Sequence, residues 1–228
     1  MTDHLTRDLQ NVKRHVLGMG ALVEEALGLA QSSYTNREDV PARRLADVER
    51  KIDSLQLEID DEITKVLALH QPVARDLRFL LAAMRIVNDL ERIGDLTTSI
   101  AERLLFILGR DPVPDPIEVE RMMRTCASML RDGLNAFVSQ DSTLARAVIA
   151  RDDDVDELNR EHFEVLIARM HEDSNSIDTA VSLISMSRGL ERIADLATNI
   201  AEDVVYMVDA EDIRHPMLDL NRVQEVAD

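Results

Sequence analysis

Residues Leu90-Glu91-Arg92-Ile93-Gly94-Asp95-Leu96-Thr97-Thr98-Ser99-Ile100-Ala101-Glu102 return one hundred positions later as Leu190-Glu191-Arg192-Ile193-Ala194-Asp195-Leu196-Ala197-Thr198-Asn199-Ile200-Ala201-Glu202. Ten of the thirteen positions are identical, so the chain contains two copies of one structural unit. On a helix, Glu91, Asp95, Thr98 and Glu102 form one stripe, while Leu90, Ile93, Ile100 and Leu104 fall on the opposite side. The repeated unit is therefore an amphipathic helix with a ladder of carboxylates along its polar face.

The rest of the chain fits this unit. Apolar residues at helical spacing predict a first helix over about residues 4–34, with Val12, Val16, Met19 and Val23 inward. A second begins near Asp39, with Pro41 in its first turn, and runs to about His70. After Pro72 a third spans about Ala74 to Leu108, roughly 50 Å at 1.5 Å per residue. Gly109 to Pro116 is dense in breakers and reads as a linker. Helices at about 117–138, 143–170 and 176–209 then repeat the order, with Asp53 answered by Asp156 at an offset of 103. The expected fold is all-α: two tandem three-helix bundles, residues 1–110 and 115–213, with a C-terminal tail over 214–228. A pseudo-twofold and a translation both satisfy the repeat.

Each half carries two acid-x-x-x-acid pairs, Glu49/Asp53 with Glu91/Asp95, then Asp152/Asp156 with Glu191/Asp195. Gln56 and Asp60 extend the ladder of the second helix, and Asn159 that of the fifth. Consecutive helices of a bundle are antiparallel neighbours, so the pairs of one half face each other across a groove. Like charges one turn apart cost a few tenths of a kcal/mol, and crowded carboxylates raise one another's pKa values. A divalent cation removes both penalties, and oxygen-only ligands suit Mg²⁺, Ca²⁺, Mn²⁺ or iron, not a thiolate zinc site. The plainer reading is the solvated face of an amphipathic helix. Arg92 and Arg192 read as structural ion-pair partners, and Arg75-Asp76-Leu77-Arg78 as a charged first turn or a contact surface. The methionines, such as Met84, Met122, Met129 and Met186, read as core filler.

Charge and composition narrow the function. A net charge of −18 opposes generic binding to nucleic acid or to an anionic membrane. The one cysteine, Cys126, cannot form an internal disulfide, which suits a cytosolic setting. No apolar run reaches the roughly 18 residues of a membrane span, and the N-terminus has no targeting pattern. The six histidines form no Glu-x-x-His pair, and His215 reads as a surface residue. Neither a glycine-rich phosphate loop nor a nucleophile elbow is present, so catalytic machinery is not expected. The rival readings are a metal-dependent hydrolase or oxidase built on the carboxylates, and a purely structural helical module.

The repeated Leu-Glu-Arg-Ile-Gly/Ala-Asp, the segment Gln71-Pro72-Val73-Ala74-Arg75-Asp76-Leu77-Arg78 and the closing Asp212-Ile213-Arg214-His215 together resemble the PhoU family of phosphate-uptake regulators, over nearly the whole chain. The resemblance implies tandem three-helix bundles, a homodimer, and a cytoplasmic location, peripheral to the inner face of the membrane through partners. It implies a non-enzymatic negative regulator of the phosphate-starvation response that contacts the phosphate ABC transporter and its sensor histidine kinase. It also implies multinuclear metal clusters on paired acidic motifs, here Glu49, Asp53, Glu91, Asp95, Asp152, Asp156, Glu191 and Asp195. Asn88-Asp89 is replaced by Arg188-Gly189 in the second half, so the two sites need not be equal in affinity or nuclearity.

Overall fold

The computed structural model describes residues 2–110 and 118–214. Eight α-helices account for most of them: α1 Thr2–Asn36, α2 Asp39–Arg43, α3 Leu45–His70, α4 Ala74–Leu108, α5 Glu118–Ser139, α6 Ser142–Ile149, α7 Asp152–Glu172 and α8 Ile177–Asp209. A single 3₁₀ turn, Ser174–Ser176, precedes α8. There is no strand among the described residues. The expected linker and the tail with His215 lie largely outside them.

The two halves turn their corners alike. Arg37 and Gln140 both take left-handed φ values, 53° and 54°. The amide of Glu38 donates to the Ser33 carbonyl, and that of Asp141 to Ala136. Asp141 then caps α6, its carboxylate accepting from the amides of Thr143 and Leu144.

Two predicted helices are each broken once. The second divides at Arg44, whose amide donates to the Pro41 carbonyl, three residues back. The fifth divides at Ala150-Arg151, where the Arg151 amide donates to Val148 and its guanidinium reaches Ser128 and Asp132 on α5. A single tightened turn leaves the spacing of apolar residues almost intact, which is why periodicity reads through it.

The longest contact is between α4 and α8. Arg85 meets Asp203, Ile100 meets Gly189 and Arg110 meets Asp178, so the two helices run antiparallel. An operation that carries one copy of the repeat onto the other must therefore reverse its direction. The halves are related by a pseudo-twofold, not a translation. Its axis passes near Gly94 and Ala194. Helices α1 and α5 also run antiparallel, with Lys13 donating to the Val138 carbonyl and Glu24 paired to Arg131. The buried apolar side chains of both halves form one continuous core. At Gly189 an added Cβ would sit 3.1 Å from Ile100 Cγ1, so the close approach of α4 and α8 there depends on the missing side chain.

At one matched pair of positions the residues change while their combined volume is kept. Ile52 on α3 lies against Gly94 on α4, and the matching positions hold Val155 and Ala194. One methyl group has moved from one helix to its neighbour. Gly94→Ala should gain about 1 kcal/mol of helix propensity but push on Ile52 Cδ1, 3.2 Å from the new Cβ. Ile52→Val alone should cost about 1 kcal/mol. The double variant restores the second-half combination and should beat the sum of the single changes by about 1 kcal/mol in urea unfolding. Strict additivity would show that the pair does not compensate.

Candidate metal centre

The spacing of the acids places them on the outer edges of paired helices. In the first half α3 presents Glu49 and Asp53, and α4 presents Glu91 and Asp95. Carboxylate oxygens of Asp53, Glu91 and Asp95 lie within 4.8 Å of one another. Burial pushes the Glu49 carboxyl above its ordinary range. The Thr98 hydroxyl counters that rise, and Asp95, Asp53 and Glu102 add to it. Glu91 is raised by burial, then by Asp95 and Asp53, with Arg92 opposing. Gln56 belongs to a cross-link instead: its amide donates to Asn88, which donates to the Met84 carbonyl. This ties α3 to α4 beside the cluster.

The second half brings Asp152 and Asp156 of α7 against Glu191 and Asp195 of α8. Burial raises Asp152, Glu191 and Asp195, and neighbouring carboxylates raise them further. The Thr198 hydroxyl is close enough to oppose the rise at Asp152. No well-formed hydrogen bond reaches the fully covered Asp152 Oδ1, however, nor the Thr198 hydroxyl oxygen. Among the described residues, only the first cluster brings three ligand oxygens within 4.8 Å. Arg188, stacked over Phe163 at 5.6 Å, borders the second cluster where the first has Asn88.

These donors fit a hard divalent cation. They are all oxygen, they face one another across paired helices, and one buried carboxylate oxygen lacks a partner. Cys126 is no ligand: its thiol donates to the Leu190 carbonyl, and burial pushes its pKa up to about 12. The clusters are not isolated. Arg92, Asp95 and Leu96, together with Arg192, Asp195, Leu196 and Asn199, line one open depression on the pseudo-twofold. Arg92 makes a loose ion pair with Asp89 at 3.6 Å and stays largely exposed.

A further charged group, outside the acid-x-x-x-acid motifs, lies at one end of the α4–α8 seam. Asp203, almost fully buried, accepts from Arg85 at 2.9 Å and lies 3.9 Å from Arg214. Both guanidiniums lie over the Tyr206 ring. Asp89 is buried beside them, and burial together with the Asp203 charge pushes its pKa up to about 6. The signal available was departure from the repeat: Asp89 replaces glycine, and Asp203 stands where the first half has Arg103.

A carboxyl raised in the folded state stabilises fully below its ordinary pKa of 3.8 and loses that contribution as pH rises through about 6. Asp89→Asn should therefore stabilise the metal-free protein by on the order of 1–2 kcal/mol at pH 8 and hardly at all at pH 4. Urea unfolding at the two pH values checks this, and an equal gain at both would refute it.

The PhoU domain model matches residues 16–104 and again residues 119–204. The chain belongs to the PhoU family. Relatives from Pseudomonas putida and Pseudomonas aeruginosa, both named phosphate-specific transport system accessory protein PhoU homolog, are 35% and 33% identical. The first alignment covers 94% of this chain and 86% of the relative, the second 99% and 94%. The crystal structure of PhoU from P. aeruginosa superposes with a TM-score of 0.88 at 32% identity, over 90% of this chain and 99% of that one. A phosphate transport system regulatory protein PhoU from Streptococcus pneumoniae gives 0.85 at 27%, covering 92% and 99%. The PhoU fold thus accounts for both bundles and their common seam.

Proposed function

We propose that this PhoU-family chain is a metal-binding accessory regulator of phosphate transport that represses the phosphate-starvation response when phosphate is plentiful. Membership of a family whose curated relatives are named for the phosphate-specific transport system supports the transport role. The observation that carries the metal reading is the first cluster, where Asp53, Glu91 and Asp95 bring three carboxylate oxygens within 4.8 Å. Glu49, Asp53, Glu91 and Asp95 would hold ions in the first half, and Asp152, Asp156, Glu191 and Asp195 in the second. A bound divalent cation supplies positive charge that holds α3 to α4 and α7 to α8.

The chain would act as an adaptor between the cytoplasmic side of the phosphate ABC transporter and its sensor histidine kinase, as a homodimer. No helix among the described residues is long and apolar enough to cross a membrane, so contact with the transporter would be through its protein surface. Deleting the gene should raise phosphate-starvation gene expression in phosphate-rich medium. Restoring the wild-type gene should repress it, and restoring a gene lacking all eight carboxylates should not. Unchanged expression in the deletion strain would sink the regulatory reading.

A further inference from the structure

The antiparallel seam puts equivalent residues of the two repeats opposite each other. Arg92 and Arg192, Asp95 and Asp195, and Leu96 and Leu196 line one depression of about 300 Å³ on the pseudo-twofold, together with Asn199. Asp95 belongs to the first acidic cluster and Asp195 to the second, so both clusters open onto the same concavity. Arg92 keeps 61% of its side chain exposed despite its contact with Asp89, and Arg192 is exposed as well.

We infer that this depression is a cation-gated binding site for a phosphate-type oxyanion, held by the guanidiniums of Arg92 and Arg192. The inference rests on the metal reading above. In the metal-free protein the two aspartates cancel the two arginines, and an anion gains little by entering. Where each four-carboxylate cluster takes up two divalent cations, Asp95 and Asp195 no longer cancel the guanidiniums, which become the dominant positive charge of the depression, with Arg92 still sharing part of its charge with Asp89 at 3.6 Å. That charge favours an anion. Arginine's planar fork donates paired hydrogen bonds to tetrahedral oxyanions, and Leu96 and Leu196 form part of the wall. The volume suits a small anion and excludes a folded partner. Binding coupled in this way is reciprocal, so the anion tightens cation binding by the same factor.

Calorimetry on protein loaded with Mn²⁺ and dialysed free of excess ion tests this with inorganic phosphate, sulfate and a nucleoside monophosphate. Phosphate should bind once per chain in the loaded protein and not after chelation. The affinity should fall with added salt. Arg92→Gln/Arg192→Gln should weaken it by at least about tenfold, while Mn²⁺ uptake and the thermal midpoint stay near wild type. Arg92→Lys/Arg192→Lys should recover part of the loss. A nucleotide binding more tightly than free phosphate would support the same site with a phosphoryl group on a larger molecule as its occupant. A loaded wild-type protein that takes up no phosphate, or a Gln variant that binds it equally, overturns the inference and leaves the metal reading standing. Failure of the wild type to take up Mn²⁺ overturns both.

Discussion

Titrating the metal-free protein with Mn²⁺ at pH 7.5 is expected to raise its thermal midpoint by on the order of 10 °C. An ion that binds only the folded state stabilises by about 2.7 kcal/mol at one hundred times its dissociation constant. One such ion in each cluster already contributes roughly twice that, and each kcal/mol moves the midpoint of a chain this long by about 2–4 °C. The sharper expectation is a reversal of sign. Without metal, the Glu91 and Glu191 carboxyls are destabilised by burial and by their acidic neighbours. Glu91→Gln/Glu191→Gln should therefore slightly raise the midpoint of the metal-free protein and sharply reduce the gain on adding Mn²⁺. Carboxylates that merely solvate the surface would show neither effect. Differential scanning calorimetry with and without chelator reads both arms, and a midpoint indifferent to Mn²⁺ would end the metal account.

Arg85→Ala is expected to be the most damaging single change at the seam. It removes the close partner of Asp203, whose side chain is only 4% exposed, and leaves Arg214 at 3.9 Å as the remaining counter-charge. Breaking a buried pair from one side costs about 3–5 kcal/mol, so a loss of about 3 kcal/mol at pH 8 follows. Burial already holds the Asp203 carboxyl above its ordinary range, with Arg85 and Arg214 pulling it down. Losing Arg85 raises it further. A raised carboxyl gives up its stabilising contribution as pH increases, so the variant's stability should fall more steeply than the wild type's between pH 5 and pH 8. Arg85→Met/Asp203→Leu should regain much of the loss, because an apolar pair avoids the desolvation cost of two charges. Urea unfolding at both pH values measures this. A small loss, equal at both, would mean that water reaches Asp203.

Most of the helices, and the helix faces on which the eight carboxylates lie, could be read from residue spacing. Glu49/Asp53 and Glu91/Asp95 share faces because four residues make about one turn, and neighbouring antiparallel helices make those faces meet. Core assignments succeeded for the same reason: Val12, Val16, Met19, Val23, Leu90 and Ile93 are fully buried. Gln56 and Asp89 were less legible. Their roles depend on which side chain of another helix stands opposite, and periodicity along one helix carries no such information. The breaks at Arg44 and Ala150-Arg151 escaped because one tightened turn barely shifts the phase of the apolar stripe.

The sequence alone determined that the chain is a duplicated helical unit with acidic stripes, since both follow from the identity and spacing of nearby residues. Only the tertiary structure decided that the two copies meet antiparallel, about a pseudo-twofold, across α4 and α8. That choice depends on how the whole core packs, on the close approach at Gly189, and on the pairing of Arg85 with Asp203, 118 positions apart in the chain. It also decided that both acidic clusters open onto one arginine-lined depression, because a rotation, unlike a translation, brings equivalent residues face to face at its axis.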